Sequence, residues 1–171
     1  MTVRRMQESD VDEVVELVHE LAACARASEQ CQLTAVQLRA ALFGEQPALF
    51  GHVAEVDGEV VGFALWFLNF STWDGVHGIY LEDLFVRPEH RGRGLGRQLL
   101  GALAAECVRR GYSRLQWWVL DWNKPAIGFY RRLGAVPMEE GTVFRVDGPA
   151  LCTIAGFGAL RPHGSFPGAR Q

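Results

Sequence analysis

The most informative chemical feature of the sequence is a glycine- and arginine-rich segment at residues 86–97, which reads V-R-P-E-H-R-G-R-G-L-G-R. A strand-like pattern ends there and a helix-like pattern begins, with glycines at Gly92, Gly94 and Gly96. Glycines leave backbone N–H groups uncovered, and at the positive end of a helix dipole such groups bind anions. The arginines that add positive charge around them are Arg91, Arg93 and Arg97. The segment therefore predicts a ligand that carries phosphate.

Other glycine-rich motifs fit this segment less well. A dinucleotide-binding fold places its glycines after the first strand of a strand–helix–strand unit, whereas here they follow a run of strands. A P-loop ends in Gly-Lys-Ser/Thr, which is absent here. Arg-Gly segments also bind RNA, but the net charge of −3 does not favour a nucleic-acid partner. We therefore expect a small phosphate-bearing ligand and no nucleic acid.

Three stretches of the chain together resemble one family of enzymes. Residues 91–96 have the pattern R-x-x-G-x-G, which is similar to the acetyl-CoA signature of the GNAT acetyltransferase superfamily. Residues 80–86, Y-L-E-D-L-F-V, and residues 122–135, W-N-K-P-A-I-G-F-Y-R-R-L-G-A, are similar to its diamine branch, the spermidine/spermine and thialysine N-acetyltransferases. The resemblance implies a homodimeric enzyme that moves an acetyl group from acetyl-CoA to a primary amine of a small molecule.

The resemblance also implies how acetyl-CoA would be held. In this superfamily the pantetheine arm lies between two splayed strands, here those that end near Val86 and Leu120, and pairs with strand backbone. The pyrophosphate would lie on N–H groups of the glycine-rich segment. The positions that match cofactor-binding segments are Leu84, Phe85, Val86, Arg91, Gly92, Arg93, Gly94, Leu95, Gly96, Arg97, Asn123, Lys124, Pro125 and Ala126.

Acetyl transfer to an amine requires two proton transfers. An alkylamine has a pKa of about 10.4 and arrives protonated, so a base must remove a proton before the nitrogen can attack. The coenzyme A thiol leaves more easily when an acid assists it. The residues that match these roles in the family are Glu82 as base and Tyr130 as acid. From residue type alone, Glu82 could equally be a solvated or ion-paired carboxylate and Tyr130 a packed side chain.

The acceptor amine is predicted to contact Glu82, Asp83 and Trp122. Glu82 matches a position at which the family often has a strand bulge, and Asp83 points to the opposite face unless a bulge intervenes. The diamine branch carries acidic and aromatic residues in the loop after its first helix, but residues 24–29 read C-A-R-A-S-E here. This difference favours a shorter amine, such as thialysine or another lysine-like amino acid, over a long polyamine.

Two other functions remain open from the residues alone. A protein acetyltransferase that acts on an N-terminus or a lysine would need an open groove, which the loop at residues 69–75 could close. A non-catalytic acetyl-CoA-binding module is disfavoured because Glu82 and Tyr130 are both present.

The pattern along the chain predicts an α+β domain of three layers, with a mostly antiparallel mixed sheet flanked by helices and a splayed strand pair for the cofactor. After a short first strand, Ser9 or Asp10 can cap the helix that follows. The later elements are a helix at 34–44, strands at 49–56, 59–69 and 77–86, a helix at 94–110, a strand at 114–120, a helix from Pro125 to Gly134, and short strands at 135–139 and 142–147.

Composition indicates the class of protein. A chain of 171 residues, 49% of them hydrophobic, can bury a full core. We expect one domain over residues 1–150 and a flexible tail at 151–171. The four cysteines form no C-x-x-C pair, which predicts free thiols and no metal site. The absence of a signal-peptide pattern or an apolar run of about 20 residues predicts a cytoplasmic protein without a membrane partner.

Overall fold

The fold is built on a five-stranded sheet with the strand order β1-β2-β3-β4-β5. The computed structural model describes residues 1–139 and 141–157, which belong to two units: Met1–Val119, with the whole sheet, and a second unit that starts at Leu120. The strands are β1 (Thr2–Arg5), β2 (Phe50–Val56), β3 (Glu59–Ser71), β4 (Val76–Val86) and β5 (Leu115–Gln116). The first four pair antiparallel, and β5 pairs parallel with β4. The predicted mixed, mostly antiparallel sheet is confirmed.

Helices cover both faces of this sheet. The helices of the first unit are α1 (Val11–Cys24), α2 (Ala35–Phe43) and α3 (Leu95–Arg110). Helices α1 and α2 share one core cluster with Phe63, Leu65 and Phe85 of the sheet. Helix α3 contacts all five strands, and its fully buried Leu99 and Leu103 do not belong to that cluster. The first unit therefore has the predicted three layers.

Local chemistry determines several element boundaries. Asp57 and Gly58 have φ of +53° and +88°, as a two-residue turn between antiparallel strands requires, and they join β2 to β3. Thr34 begins α2 with the predicted capping box. Gly94 and Gly111 flank α3 with φ of +84° and +69°, values that glycine adopts at little cost.

Two predictions of local structure are met only in part. Of the two predicted caps, Ser9 and Asp10, it is Asp10 that precedes the first residue of α1, but its side chain makes no capping hydrogen bond. Its buried carboxylate instead accepts a 2.7 Å hydrogen bond from the Gln7 N–H and forms a 2.7 Å ion pair with Arg4. The strand expected at 114–120 is limited to β5, because its pairing with β4 ends at Tyr80, directly before an irregularity in β4.

The second unit contains helices α4 (Lys124–Arg132) and α5 (Gly148–Phe157). The Asn123 Oδ1 caps α4 by accepting a 3.3 Å hydrogen bond from the Ala126 N–H. Gly134 follows the helix with φ of +87°, so both predicted ends of this short helix are confirmed.

The last part of the chain differs from its predicted course. Strands were expected at 135–139 and 142–147, but residues 135–139 and 141–147 have no regular secondary structure. Of the tail expected at 151–171, residues 151–157 belong to α5 and the remainder lies outside the described residues. Within the described ranges, no helix combines the length and the apolar composition needed to cross a lipid bilayer.

Candidate active site

The glycine loop, residues 88–94, leads from β4 into α3. Gly92 and Gly94 have φ of +75° and +84°, and a Cβ built on Gly92 would meet no atom within 4 Å, so the loop is open on that side. No side chain of the described residues caps α3, and the first N–H groups of an α-helix have no intrahelical partner. A helix of 16 residues therefore begins at an open loop with its N–H groups and positive dipole end uncovered. This arrangement fits a phosphate-bearing ligand.

The three predicted arginines do not behave alike. The Arg91 Nε donates a 2.7 Å hydrogen bond to the Val86 carbonyl, and its guanidinium lies 5.4 Å from the centre of the Phe85 ring. Arg91 therefore folds the glycine loop back onto β4. Arg93 and Arg97 are exposed around the start of α3, where their charge adds to that of the helix dipole.

Strand β4 divides its backbone hydrogen bonds between two edges. The Arg87 N–H donates to the Val61 carbonyl at 2.9 Å, which fixes the alternation along the antiparallel β3–β4 ladder. Phe85, two residues before Arg87, therefore directs its N–H and C=O toward β3. Leu84 and Val86 direct theirs toward the other edge. Of the three predicted main-chain contacts with pantetheine, these two have their groups on the open edge.

That edge is open because β5 pairs with β4 over only two residues. The partners are Ile79 with Leu115 and Tyr80 with Gln116. Close approach of the strands depends on Gly78, where a Cβ would lie 2.7 Å from Arg114 Cγ. Beyond Tyr80 the strands no longer pair, which produces the predicted splayed pair.

A β-bulge at Glu82 interrupts β4 where the strands part. Leu65 of β3 pairs with Asp83 and the next residue, Trp66, pairs with Leu81, so Glu82 is the extra residue. The bulge reverses the alternation of side chains. Asp83 consequently faces the side of the sheet occupied by Leu65, which belongs to the core cluster of α1 and α2.

The bulge also brings acidic and phenolic groups together on that side. Tyr80 pairs with Phe67, which shares the face of Leu65, and the two rings stack with centroids 5.1 Å apart. Burial, followed by the charge of Glu82, raises the pKa of Asp83 to about 6. The same two causes raise the pKa of Tyr80. Glu82 itself is exposed. The site thus contains two neighbouring carboxyl groups, one of which titrates close to neutral pH.

Tyr130, the predicted acid, lies on α4 in the second unit. Its side chain is half-buried, and burial raises the pKa of its phenol. Its carbonyl accepts hydrogen bonds from the N–H groups of Leu133 and Ala135 at 3.0 and 3.1 Å. Burial therefore favours the protonated phenol, which is the form that a general acid must have before it donates.

The remaining predicted residues of the second unit lie at the start of α4. Asn123 is the helix cap, and Lys124 and Pro125 occupy the first turn. Trp122, a predicted substrate contact, is 53% exposed. Within the described residues, no group of three His, Cys, Asp or Glu side chains is placed to hold a metal ion.

Sequence reasoning did not single out Tyr80 or Gly78. Both lie in or beside the Y-L-E-D-L-F-V stretch, two residues apart. A glycine inside a strand pattern signals close approach of another backbone, so Gly78 could have been found. Tyr80 could not, because without the bulge it would face away from Asp83.

Known proteins are similar to this chain over most of its length. A sequence model described as the Acetyltransferase (GNAT) family matches residues 14–135. The thialysine N-epsilon-acetyltransferase of Bos taurus is 38% identical over 165 residues, covering 90% of this chain and 96% of the relative. The L-ornithine N5-acetyltransferase of Arabidopsis thaliana is 41% identical over 98 residues, covering 57% of this chain and 43% of that protein.

A solved structure also matches most of the fold. An integron cassette protein from the mobile metagenome of V. cholerae has a TM-score of 0.76 and 26% identity, covering 90% of this chain and 96% of its own. The family match spans most of the chain, including the bulged strand and the glycine loop, and the bovine relative aligns along nearly all of it. The chain therefore belongs to the GNAT acetyltransferase family and is an N-acetyltransferase, as the R-x-x-G-x-G pattern predicted.

Proposed function

We propose that this N-acetyltransferase uses acetyl-CoA to acetylate the side-chain amine of a lysine-like amino acid such as thialysine. The observation that carries the proposal is the pair of carboxyl groups at the β4 bulge, which can attract one ammonium group. The names of the relatives support it, since one acts on thialysine and another on ornithine. The segment after α1 contributes one acid, Glu29, and one base, Arg26. Such a balance offers little attraction to the further charges of a polyamine.

The described residues fit acetyl-CoA as the donor. The N–H groups at the start of α3, with Arg93 and Arg97, would hold the phosphates. The N–H and C=O of Leu84 and the N–H of Val86 suit the amides of the pantetheine arm, because a sheet edge pairs readily with another extended segment. The Val86 carbonyl already accepts a hydrogen bond from Arg91. When bound, acetyl-CoA would supply the acetyl thioester.

The side chains of Asp83, Glu82 and Tyr130 would then bind the acceptor amine and transfer the protons. Asp83, when ionised, attracts the ammonium group of the acceptor. Glu82 accepts a proton from that ammonium, directly or through a water, and frees the nitrogen lone pair for attack on the acetyl carbon. The Tyr130 hydroxyl would donate a proton to the sulfur as the carbon–sulfur bond breaks. The second proton, which the nitrogen must lose to become an amide, would return to the Tyr130 phenolate.

We also propose that the protein is a homodimer joined through its second unit. Among the most exposed apolar side chains of the described chain are Val136, Val143 and Phe144, at 77%, 90% and 90%. They lie in the segment where strands were predicted but are not formed. A second copy could cover these side chains and supply pairing partners. A cytoplasmic location without nucleic-acid or membrane partners stays a prediction from composition.

The first test concerns the acceptor and Asp83. Thiol release from acetyl-CoA should be faster with thialysine, lysine or ornithine than with spermidine. The kcat/KM for thialysine should rise with pH up to about 6 and then level off, because only the ionised Asp83 attracts the cation. Asp83→Asn should remove this rising limb.

Glu82→Gln serves as the control for that profile. Glu82→Gln should lower kcat, since it removes the proposed base. It should also shift the rising limb of the kcat/KM profile to lower pH, since it removes a charge that raises the pKa of Asp83. Preference for spermidine, or an unchanged limb in Asp83→Asn, would contradict the assignment.

The second test concerns the phosphate site. Gly94→Val places a β-branched side chain over the first N–H groups of α3, so acetyl-CoA affinity should fall by at least about tenfold in calorimetry. Gly111→Val is the matched control, because it has a similar positive φ at the other end of the same helix. Equal affinities for the two variants would refute the site.

The third test concerns Tyr130. Tyr130→Phe should lower kcat by about 10²–10⁴-fold, the usual contribution of general acid catalysis, while leaving acetyl-CoA affinity nearly unchanged. The loss should shrink with an acetyl donor whose thiol is more acidic. Tyr112→Phe is the control. If Tyr130 only positions the donor, Tyr130→Phe should lower the rate by the same factor with both acetyl donors. That result would rule out the acid role.

The fourth test concerns the dimer. Light scattering at micromolar concentration should give twice the chain mass of 19.0 kDa. Phe144→Asp should give monomers, because a charge would have to be buried in the interface. Val36→Asp changes an equally apolar residue that is 76% exposed on α2 and should leave the dimer intact. A monomeric wild type would contradict the proposal.

A further inference from the structure

A largely buried guanidinium, that of Arg87, lies at the point where β4 passes into the glycine loop. Arg87 is the first residue after β4, and its N–H donates to the Val61 carbonyl at 2.9 Å, which extends the β3–β4 ladder by one residue. Its carbonyl accepts a 2.9 Å hydrogen bond from the His90 N–H and so begins the 3-10 turn Pro88–His90. The backbone of Arg87 therefore sets the direction in which the loop leaves the sheet.

The side chain of Arg87 ties this point to two other elements. Its Nη2 lies 2.7 Å from Glu13 Oε1, its Nε donates to Glu20 Oε1 at 3.0 Å, and its Nη1 donates to Glu59 Oε1 at 2.8 Å. Glu13 and Glu20 are two turns apart on one face of α1, and Glu59 begins β3. All three polar ends of the guanidinium are engaged, and the side chain is only 14% exposed.

The loop that follows has few other restraints of this kind. It contains two glycines with positive φ, and glycine loses more conformational freedom on ordering than any other residue. The hydrogen bond from Arg91 to the Val86 carbonyl holds the loop against β4, whereas Arg87 connects it to α1. A site for an anionic ligand gains affinity when its N–H groups are already oriented, because less ordering is needed on binding.

We propose that Arg87 is a positioning residue for the phosphate site, holding the start of the glycine loop against α1 and β3 so that the loop is ordered before acetyl-CoA binds. The inference rests on the proposed function, since it takes acetyl-CoA as the ligand of the loop. Arg87 touches no reacting atom in this scheme. Its removal changes cofactor affinity and leaves the chemical step intact.

The test is calorimetry and kinetics on Arg87→Met. The Kd and KM for acetyl-CoA should rise about tenfold, the effect of losing one charged hydrogen-bonding group that organises a loop. The kcat at saturating acetyl-CoA and the KM for the amine should change by less than about twofold. Arg87→Lys retains the charge without the planar fork and should give an intermediate Kd.

Arg4→Met is the matched control. Arg4 also holds two carboxylates, those of Asp10 and Glu55, at 2.7 and 3.0 Å, but neither belongs to the glycine loop or its partners. Arg4→Met should lower Tm and leave the Kd for acetyl-CoA unchanged. If both variants weaken binding equally, the effect of Arg87 is one of general stability and the inference fails.

A third variant distinguishes the loss of the loop restraint from the effect of the unpaired carboxylates. Arg87→Met leaves three carboxylates unpaired, and their repulsion of phosphate could weaken binding without any movement of the loop. Combining it with Glu13→Gln and Glu20→Gln should keep the Kd raised if the loop has lost its restraint. Recovery to the wild-type Kd would overturn the positioning role.

The failures of the two proposals can be told apart. A wild-type protein that does not bind acetyl-CoA would overturn both. Wild-type binding with an unchanged Kd in folded Arg87→Met would overturn only the inference about Arg87.

Discussion

The backbone hydrogen bonds of β4 are the constraint on which the rest of the molecule depends. One edge of the strand pairs with β3 from Val76 to Val86 except at the bulged Glu82, while the other pairs with β5 only at Ile79 and Tyr80. The outward groups of Leu84 and Val86 therefore have no strand beside them. The Val86 carbonyl bonds Arg91, but the other outward N–H and C=O groups need partners, so this edge suits a ligand with amides of its own. The proposed pantetheine site follows from where β5 ends.

The bulge at Glu82 adds acid–base chemistry to that edge. It places one carboxyl group in solvent and turns the next toward the helical layer, where burial makes ionisation costly. The two adjacent acids thus lie in different surroundings. In the proposed scheme the exposed Glu82 takes up a proton and the partly buried Asp83 attracts a cation.

The positive charge needed at the glycine loop lies close to negative charge on α1. The glycine loop needs positive potential for phosphate, yet α1 presents the carboxylates of Glu13 and Glu20 nearby. Arg87 pairs with both, and with Glu59, at the junction between them. The same ion pairs fix the start of the loop, so in the proposed scheme a single guanidinium serves both electrostatics and geometry.

By itself, the sequence determined the features that depend on a few neighbouring residues. The Asp57-Gly58 turn, the Thr34 cap and the glycine-flanked helix α3 are local choices of backbone conformation, and the R-x-x-G-x-G pattern is a local arrangement of N–H groups. The family followed from the resemblance of residues 80–86, 91–96 and 122–135 to known acetyltransferases, and the layered fold followed from the order of the elements. The roles of individual site residues stay predictions. Tertiary structure decided the rest. The length of β5 depends on its partner, Asp10 bonds Arg4 instead of capping α1, and Arg87 meets Glu13 across 74 positions. Pairings of this kind depend on which side chains the folded sheet brings together, and no local spacing in the sequence records that.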